Sequence, residues 1–416
     1  MELIKLSNGT QLVLYEMSYL RSVALGVWIK NGSRNERRVT NGISHFIEHM
    51  LFKGTKKRTA QEIADEIDAV GGQINAFTSK EYTCYHTRTL DEHLDVTFEV
   101  LSDMRFHSKF DADDIKKECN VIAEEISMYE DLPDELVHDI LQSSLWKKNS
   151  LGYPILGTKE SISQMDERTI KKYFDVNYRP ENTIISIAGH FDRGFVLDYA
   201  ERLFGQQPVL EDKPDPIMPA VYTPCIVAKE KDIEQAHLVF GFPSIPVGSE
   251  KAYTLAILNT VLGGGISSRL FQKIREEHGL AYSVYSYNAS YTDTGVFAVY
   301  TALNPTETEK LINMVIYEMK HFSLTGEQLV RAKEQLKSNY VMGLESSSNM
   351  MTAIGKSQLL LGQVYTPDEI IDKINAVTLP RIEELKGEMF DFERMSLSAV
   401  GCVDEDSLRG IIANAI

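Results

Sequence analysis

Near its middle the chain contains Ile187–Asp192 (IAGHFD), and near its end it contains Ala399–Asp404 (AVGCVD). Both segments are apolar runs that pass through glycine to aspartate, and each leads into a helical pattern. They begin at positions 187 and 399, which are 212 apart, and at nearly the same spacing Thr89-Leu90 is answered by Ala302-Leu303. The sequence therefore predicts two copies of one domain.

Each half of the chain shows strand patterns first, then a run of helical patterns, and then a late strand followed by a last helix. In the first half the helical block runs from about Asp91 to Phe174. The strands predicted before this block are Gln11–Glu16, Ser22–Ile29, Gln73–Thr78 and Tyr82–Thr89. This order favours an α+β fold of two homologous domains, each with an antiparallel or mixed β-sheet packed against a block of α-helices.

The boundary between the two copies is indicated by proline. Five prolines fall among polar residues between Gln206 and Pro224, which is typical of a linker. We therefore expect a first domain at residues 1–207, a linker at 208–224 and a second domain at 225–416. A length of 416 residues with 43% hydrophobic residues is sufficient for two domain cores.

The composition excludes several classes of function. A formal net charge of −17 argues against nucleic-acid binding, because an acidic surface repels phosphate. No apolar run approaches the ~20 residues that cross a bilayer, and the first residues lack a signal or transit pattern, so we expect a cytoplasmic protein without a membrane partner. The four cysteines are scattered without a C-x-x-C pair, and a metal would therefore need histidine and carboxylate ligands.

A helical pattern in the first half contains His45–His49 (HFIEH), an H-x-x-E-H element. Two histidines four positions apart can direct both imidazoles at one metal, and Glu48 stands beside them as a general base. Asn41 or Ser44 is expected to cap this helix. The apolar residues fall on its other side, namely Ile43, Phe46, Ile47, Met50 and Leu51. A surface helix whose polar side only meets water is the alternative.

The repeat supplies an internal control for this motif. The positions that lie 212 residues after His45, Glu48 and His49 are occupied by Ile257, Thr260 and Val261. Polar residues that only served the shared fold would be expected in both halves. The sequence therefore confines the metal chemistry to the first half.

A catalytic zinc takes three protein ligands and leaves one position open, so one ligand remains to be found. The helical pattern at Asp113–Ile126 offers candidates beside an apolar stripe of Ile115, Cys119, Ile122, Ile126 and Tyr129. At about 100° per residue, Glu118 and Glu125 border this stripe, whereas Glu124 points away. Glu125 is therefore the predicted third ligand, and Glu118 is predicted to hydrogen-bond a ligand. Ordinary solvent-side carboxylates are the alternative.

Taken together, these residues resemble the pitrilysin and insulysin family of zinc peptidases, in particular small bacterial members similar to the β subunit of the mitochondrial processing peptidase. The resemblance covers the whole chain. The family shows H-x-x-E-H, a glutamate about 75 residues later and a helper glutamate seven residues before that ligand. It implies one zinc ion per chain on His45, His49 and Glu125, with Glu48 as the base and Glu118 as the helper.

The resemblance also implies a way of holding substrate. Family members bind an extended peptide along an edge strand by main-chain hydrogen bonds. The matching run is Gly72–Thr78, with Asn75, Ala76, Phe77 and Thr78 as the substrate-binding residues. An ordinary strand after a Gly-Gly turn is the alternative.

In the second half, Arg275 and Tyr282 resemble a family pair that reaches across a closed chamber to substrate. A tyrosine hydroxyl there could donate to the developing oxyanion. From the residues alone, Arg275 could equally be a cation favoured in the last turn of a helix, and Tyr282 an aromatic residue of a strand.

We therefore expect a zinc endopeptidase that hydrolyses peptides or unstructured polypeptide segments. Larger family members join four such domains in one chain, so the resemblance implies a homodimer here, with an unlike partner subunit as the alternative. A non-catalytic core or partner subunit is the alternative function, and the intact motif speaks against it. A structural zinc site would need a fourth ligand, and no additional His or Cys beside the motif offers one.

Overall fold

The structure, a computed structural model, describes residues 1–208 and 213–416. The chain divides into two compact units. Unit 1 contains Met1–Ser127, Tyr153–Met218 and Met342–Thr366, and unit 2 contains Met128–Gly152, Pro219–Val341 and Pro367–Ile416. Of the predicted linker at 208–224, residues 209–212 lie outside the described residues, and residues 213–224 form neither helix nor strand.

The strands build one mixed sheet in each unit. Sheet 1 has the order β1-β2-β6-β3-β5-β4, and its strands are β1 Glu2–Lys5, β2 Gln11–Glu16, β3 Ser22–Ile29, β4 Gln73–Thr78, β5 Thr83–Leu90 and β6 Thr183–Gly189. Sheet 2 has the order β7-β11-β8-β10-β9, and its strands are β7 Ile226–Glu230, β8 Ala236–Ser244, β9 Ala281–Ser290, β10 Gly295–Leu303 and β11 Ser396–Gly401. β2 pairs parallel to β6 and β7 parallel to β11, whereas the other pairs are antiparallel.

Three of the four predicted strands match β2, β3 and β4 residue for residue, and β5 begins and ends one residue later than predicted. The α-helices are α1 Ile43–Leu51, α2 Ala60–Ala69, α3 Leu94–His107, α4 Ala112–Asp131, α5 Pro133–Leu145, α6 Lys159–Ile162, α7 Glu167–Asn177, α8 Arg193–Ala200, α9 Ala252–Gly263, α10 Thr308–Lys320, α11 Gly326–Gly343, α12 Ser347–Leu361, α13 Pro367–Asn375, α14 Leu379–Met389 and α15 Glu405–Ala415. Glu201–Gly205 and Phe271–Glu277 are π-helical. Across residues 1–208 and 213–416, no helix is both long enough and apolar enough to cross a membrane.

The predicted duplication is confirmed by matching elements in the two units. Strands β6 and β11 end at Gly189 and Gly401, whose φ angles are 130° and 139°. Each strand leads into a helix whose first-turn N–H groups donate to an aspartate, Asp192 for α8 and Asp404 for α15. By the same spacing, α1 corresponds to α9 and β4 to β9. The α+β prediction of two homologous domains with mixed sheets is therefore confirmed.

Each sheet is covered on its second face by a helix that the sequence boundary assigns to the other half. In unit 1 this helix is α12, whose Met351 and Ile354 pack with Trp28 of β3. In unit 2 it is α5, whose Leu141 packs with Val239 of β8. The compact units therefore differ from the predicted ranges 1–207 and 225–416, because residues 128–152 fold with unit 2 and residues 342–366 with unit 1.

The approach of α12 to sheet 1 depends on a glycine. A Cβ atom on Gly355 would lie 2.2 Å from Trp28 Nε1 and 2.7 Å from Ser186 Oγ. Trp28 Nε1 donates to Ser186 Oγ over 2.8 Å, so neither group can move aside without losing this buried bond. The small residue therefore sets the distance between the helix and the sheet.

We expect Gly355→Ala to lower the free energy of unfolding by about 2 kcal/mol, because the added methyl overpacks a closed contact. Urea denaturation of the full chain measures this loss. Gly387→Ala in α14 is the matched control, since a Cβ there meets nothing within 4 Å. That variant should gain about 0.5–1 kcal/mol from helix propensity. A neutral Gly355→Ala would show that α12 does not pack tightly on sheet 1.

Candidate metal centre

Helix α1 presents an apolar side to the core of unit 1 and a polar side to the candidate site. Its five predicted apolar residues are each at most 1% exposed, namely Ile43, Phe46, Ile47, Met50 and Leu51. His45 is buried as well, while Glu48 and His49 are half-buried. The two faces therefore separate around the axis as predicted.

The start of α1 differs from the prediction. The N-cap is Gly42, with φ 90° and no side-chain cap, whereas Ser44 lies inside the helix and Asn41 precedes Gly42. The expected cap by Asn41 or Ser44 is therefore wrong. The main-chain N–H groups of Gly42 and Ser44 instead donate to the carboxylate of Glu36, which was not predicted from the sequence.

Three donor groups converge beside α1. Glu125 Oε2, on α4, lies 3.9 Å from His45 Nε2 and 3.7 Å from His49 Nε2. Ligand atoms of these three residues all lie within 4.8 Å of one another, and within residues 1–208 and 213–416 they form the one such group of histidine, cysteine and acidic residues. Glu124 is exposed, in agreement with the predicted register of α4. The apolar stripe of α4 ends at Ile126. The predicted stripe residue Tyr129 is 37% exposed, and it lies beyond Ser127, where this segment of unit 1 ends.

The surroundings shift the pKa values of the two histidines in opposite directions. Burial and the neighbouring His49 lower the pKa of His45 to about 3, so its imidazole is neutral at physiological pH and keeps a lone pair for a metal. Burial opposes charge on His49, but its hydrogen bond with Glu118 and the carboxylates of Glu118 and Glu125 outweigh this and raise its pKa. The neighbouring carboxylates therefore stabilise a positive charge at His49, whereas His45 stays neutral.

Glu118 orients one of the imidazoles. His49 Nδ1 donates to Glu118 Oε2 over 2.9 Å, which directs Nε2 towards Glu125. Lys53 Nζ lies 2.5 Å from Glu118 Oε1. Burial raises the pKa of the Glu118 carboxyl, but the contacts with His49 and Lys53 outweigh burial and lower it. Lys53 was not predicted from the sequence, and it keeps the orienting carboxylate ionised.

Glu48 does not join the converging group and has a different partner. Thr78 Oγ1, at the end of β4, donates to Glu48 Oε2. Burial raises the pKa of Glu48 against the effect of this hydrogen bond. A carboxyl group whose pKa is raised towards neutrality is suited to accept and return a proton. The role of Thr78 in holding Glu48 was also missed by the sequence reasoning.

The strand next to the site is an edge strand, as predicted. β4 is the terminal strand of sheet 1 and pairs with β5 in antiparallel register from Gln73↔Arg88 to Thr78↔Thr83. It carries Asn75, Ala76, Phe77 and Thr78, and Thr78 at its end hydrogen-bonds Glu48 of the motif. The geometry brings the open edge of a sheet next to α1.

The donor set fits zinc. Zinc bonds to histidine nitrogen and carboxylate oxygen are about 2.0–2.2 Å long, and ligands of a tetrahedral ion then lie about 3.4 Å apart. The observed separations of 3.7 and 3.9 Å need only small shifts to reach this value. Three protein ligands leave one position open, which is the pattern of catalytic rather than structural zinc. In unit 2 the equivalent helix α9 has Ile257, fully buried, in place of the first histidine.

The predicted pair of the second half lies in unit 2. Arg275 falls in the π-helical stretch Phe271–Glu277, and Tyr282 is the second residue of the edge strand β9. The Arg275 guanidinium lies 4.5 Å from the centre of the Tyr282 ring, and Tyr282 is 76% exposed. The two residues thus form one cation–π pair whose tyrosine is open to a ligand.

Two family profiles match the chain. The profile described as Insulinase (Peptidase family M16) matches residues 12–159, which include the metal-binding candidates. The profile described as Peptidase M16 inactive domain matches residues 165–336. The absence of the motif from α9 agrees with the description of the second profile.

Relatives and solved structures extend over nearly the whole chain. The uncharacterized zinc protease YmxG of Bacillus subtilis is 46% identical over 386 residues, which are 92% of this chain and 94% of that protein. An uncharacterized zinc protease of Rickettsia felis is 37% identical over 409 residues, which are 98% of each chain. The crystal structure of a protease from Helicobacter pylori shares the fold, with a TM-score of 0.90 at 22% identity over 96% of this chain and 99% of that one. So does a chain of complex III2 from Candida albicans, with a TM-score of 0.85 at 20% identity over 99% of each chain. On the strength of these matches, the chain belongs to the insulinase family, peptidase family M16.

Proposed function

We propose that this protein is a zinc metalloendopeptidase that hydrolyses peptides or unstructured polypeptide segments. The observation that carries the proposal is the convergence of His45 Nε2, His49 Nε2 and the Glu125 carboxylate, with Glu48 held apart from them. Relatives named zinc proteases over more than nine-tenths of the chain support it. We propose one zinc ion per chain at these three ligands.

Glu48 and Glu118, which lie beside the proposed ligands, have different roles in the proposed reaction. When bound, zinc supplies a Lewis acid that lowers the pKa of a water molecule to about 7 and polarises a carbonyl group. Glu48 would accept the proton of the attacking water and return it to the departing amine nitrogen. Thr78 donates to Oε2, which leaves both lone pairs of Glu48 Oε1 available for the proton. Glu118 acts through His49, whose ring it holds in place.

An extended peptide is the substrate that the surroundings of the site favour. A chain that adds to the open edge of β4 would lie along Asn75, Ala76, Phe77 and Thr78, would form main-chain hydrogen bonds with every second residue of this strand, and would end beside Glu48. Main-chain pairing makes little demand on side-chain identity, but it requires an unfolded segment. We further propose a homodimer, in which Arg275 and Tyr282 contact substrate.

A partner-subunit role without catalysis is the second candidate, because a chain of complex III2 shares this fold. Such a role needs neither converging metal donors nor a half-buried glutamate beside them. Metal analysis of the purified protein, together with digestion of an unstructured peptide, separates the two functions. Absence of both zinc and hydrolysis would favour the partner role.

We expect Glu125→Gln to lose most bound zinc and Glu124→Gln to retain it. Both substitutions remove one negative charge from α4, but only Glu125 lies in the converging group, and Glu124 is exposed. Zinc per chain, measured by elemental analysis after dialysis, is the readout. Equal occupancy in the two variants would remove Glu125 from the ligand set, and the reverse order would assign the ligand to Glu124.

A further inference from the structure

The carboxylate of Glu36 is buried at the start of α1. Its Oε2 accepts hydrogen bonds from Gly42 N over 2.7 Å and from Asn41 Nδ2 over 2.8 Å, and its Oε1 accepts from Ser44 N over 2.9 Å. Glu36 is 4% exposed, and burial raises its pKa to about 7 although the three bonds oppose the shift. A buried carboxylate is unfavourable unless its bonds are made, so this arrangement depends on all three donors.

The segment that carries Glu36 is itself fixed. Ser33 N donates to Ser79 O over 3.2 Å, and Arg34 N donates to Lys80 O over 2.8 Å. The Arg34 guanidinium also forms a buried ion pair with Glu81 at 2.6 Å. Residues 79–81 follow directly after β4, the strand that ends at Thr78. Glu36 therefore links the start of α1 to the end of the edge strand beside Glu48.

A second set of hydrogen bonds connects the first turn of α1 to Tyr173 of α7. Tyr173 Oη donates to Asn31 Oδ1 over 2.9 Å and lies 3.1 Å from Ser44 Oγ. Asn31 Nδ2 donates to Ser44 Oγ over 3.2 Å. Ser44 is bonded through its main chain to Glu36 and through its side chain to these two residues, and the next residue is His45. The rotation of α1 about its axis is thus fixed immediately before the first proposed ligand.

A small rotation of α1 about its axis would displace the proposed ligand atoms. Side-chain atoms of an α-helix reach about 5–6 Å from its axis, so a turn of about 10° displaces them by about 1 Å. Zinc–ligand distances tolerate changes of only about 0.2 Å. α1 has nine residues and a glycine N-cap without a side chain. The orientation of both imidazoles therefore depends on bonds from outside the helix.

We propose that Glu36 is a positioning residue of the metal centre, which sets the rotation and axial position of α1 and thereby the places of His45, Glu48 and His49. This inference rests on the proposed zinc function. Glu36 lies outside the proposed ligand group. It acts through the main chain of the motif helix.

The test compares Glu36→Gln with Asp192→Ala in the full chain. A glutamine amide has one acceptor oxygen, so at least one of the three donors faces an NH2 group. Asp192 caps α8 by accepting from Phe195 N over 2.6 Å and serves no proposed site residue. Thermal unfolding without metal measures stability, and competition with a chromophoric chelator measures the zinc dissociation constant. We expect both variants to unfold at lower temperature, but only Glu36→Gln to weaken zinc binding, by about tenfold.

With zinc saturating, Glu36→Gln should lower kcat and leave KM within about twofold, because Glu48 moves with α1 while β4 does not. A zinc affinity within twofold of the parent, beside a lower unfolding temperature, would reduce Glu36 to a structural cap and overturn the proposal. If Glu36→Gln does not fold, Tyr173→Phe decides, since it removes one hydroxyl from the bonds around Ser44 and should weaken zinc binding in the same direction. A parent chain that binds no zinc would contradict the proposed function instead.

Discussion

Glu48→Gln is expected to keep its zinc and to lose hydrolysis by about two to four orders of magnitude. The amide has the shape of the carboxylate and can still accept from Thr78 Oγ1, but it cannot take a proton at Oε1. Glu48 lies outside the group formed by His45, His49 and Glu125, so the ligands remain in place. Binding and chemistry should therefore separate in one variant.

Steady-state hydrolysis of an unstructured peptide and zinc per chain are the two measurements. Glu124→Gln, on the exposed side of α4, is the control for loss of one acidic charge. A Glu48→Gln preparation free of contaminating protease that turned over peptide within about tenfold of the parent would exclude Glu48 as the base. Loss of zinc in this variant would instead place Glu48 among the ligands.

The fold could be predicted as far as local patterns extend. The bounds of β2, β3 and β4 follow from apolar and polar alternation, and the duplication follows from recurring segments. The packing of α5 in unit 2 and of α12 in unit 1 could not be predicted. The sequence of a helix indicates its apolar face but not the sheet that this face covers. Trp28 and Met351 meet across more than three hundred positions of sequence, and no local signal relates them.

The candidate site could also be predicted only in part. His45, Glu48 and His49 share one helix, and the register of α4 selects Glu125 over Glu124, so spacing alone could predict them. Lys53 and Thr78 meet the site through tertiary contacts, whereas Glu36 bonds to residues five to eight positions later. Glu36 stands six positions before Gly42, outside the N-cap to N3 window in which capping is read from sequence. The sequence feature that could have indicated Glu36 is an acidic residue shortly before a helix whose N-cap is glycine.

The proposed homodimer leads to the second prediction, in which Arg275 and Tyr282 serve the zinc site of the partner chain. Glu48→Gln lacks the base, and Tyr282→Phe lacks only the hydroxyl of an exposed ring. Each variant alone should be nearly inactive, since loss of one oxyanion donor costs about 10²–10³ in kcat. We expect activity to return when the two variants are dissociated and reassociated together.

The size of the recovery follows from pairing. Random reassociation makes about half of the dimers mixed, and each mixed dimer has one site with both an intact Glu48 and an intact Tyr282. Recovery should therefore approach about a quarter of the parent rate. Subunit exchange is verified with two differently tagged chains, and parent chains taken through the same procedure control for losses. If the subunits exchange and no activity returns, the Arg275–Tyr282 pair serves the site of its own chain, because both sites of a mixed dimer then carry one lesion each. Full activity of Tyr282→Phe on its own would show instead that the hydroxyl serves no site.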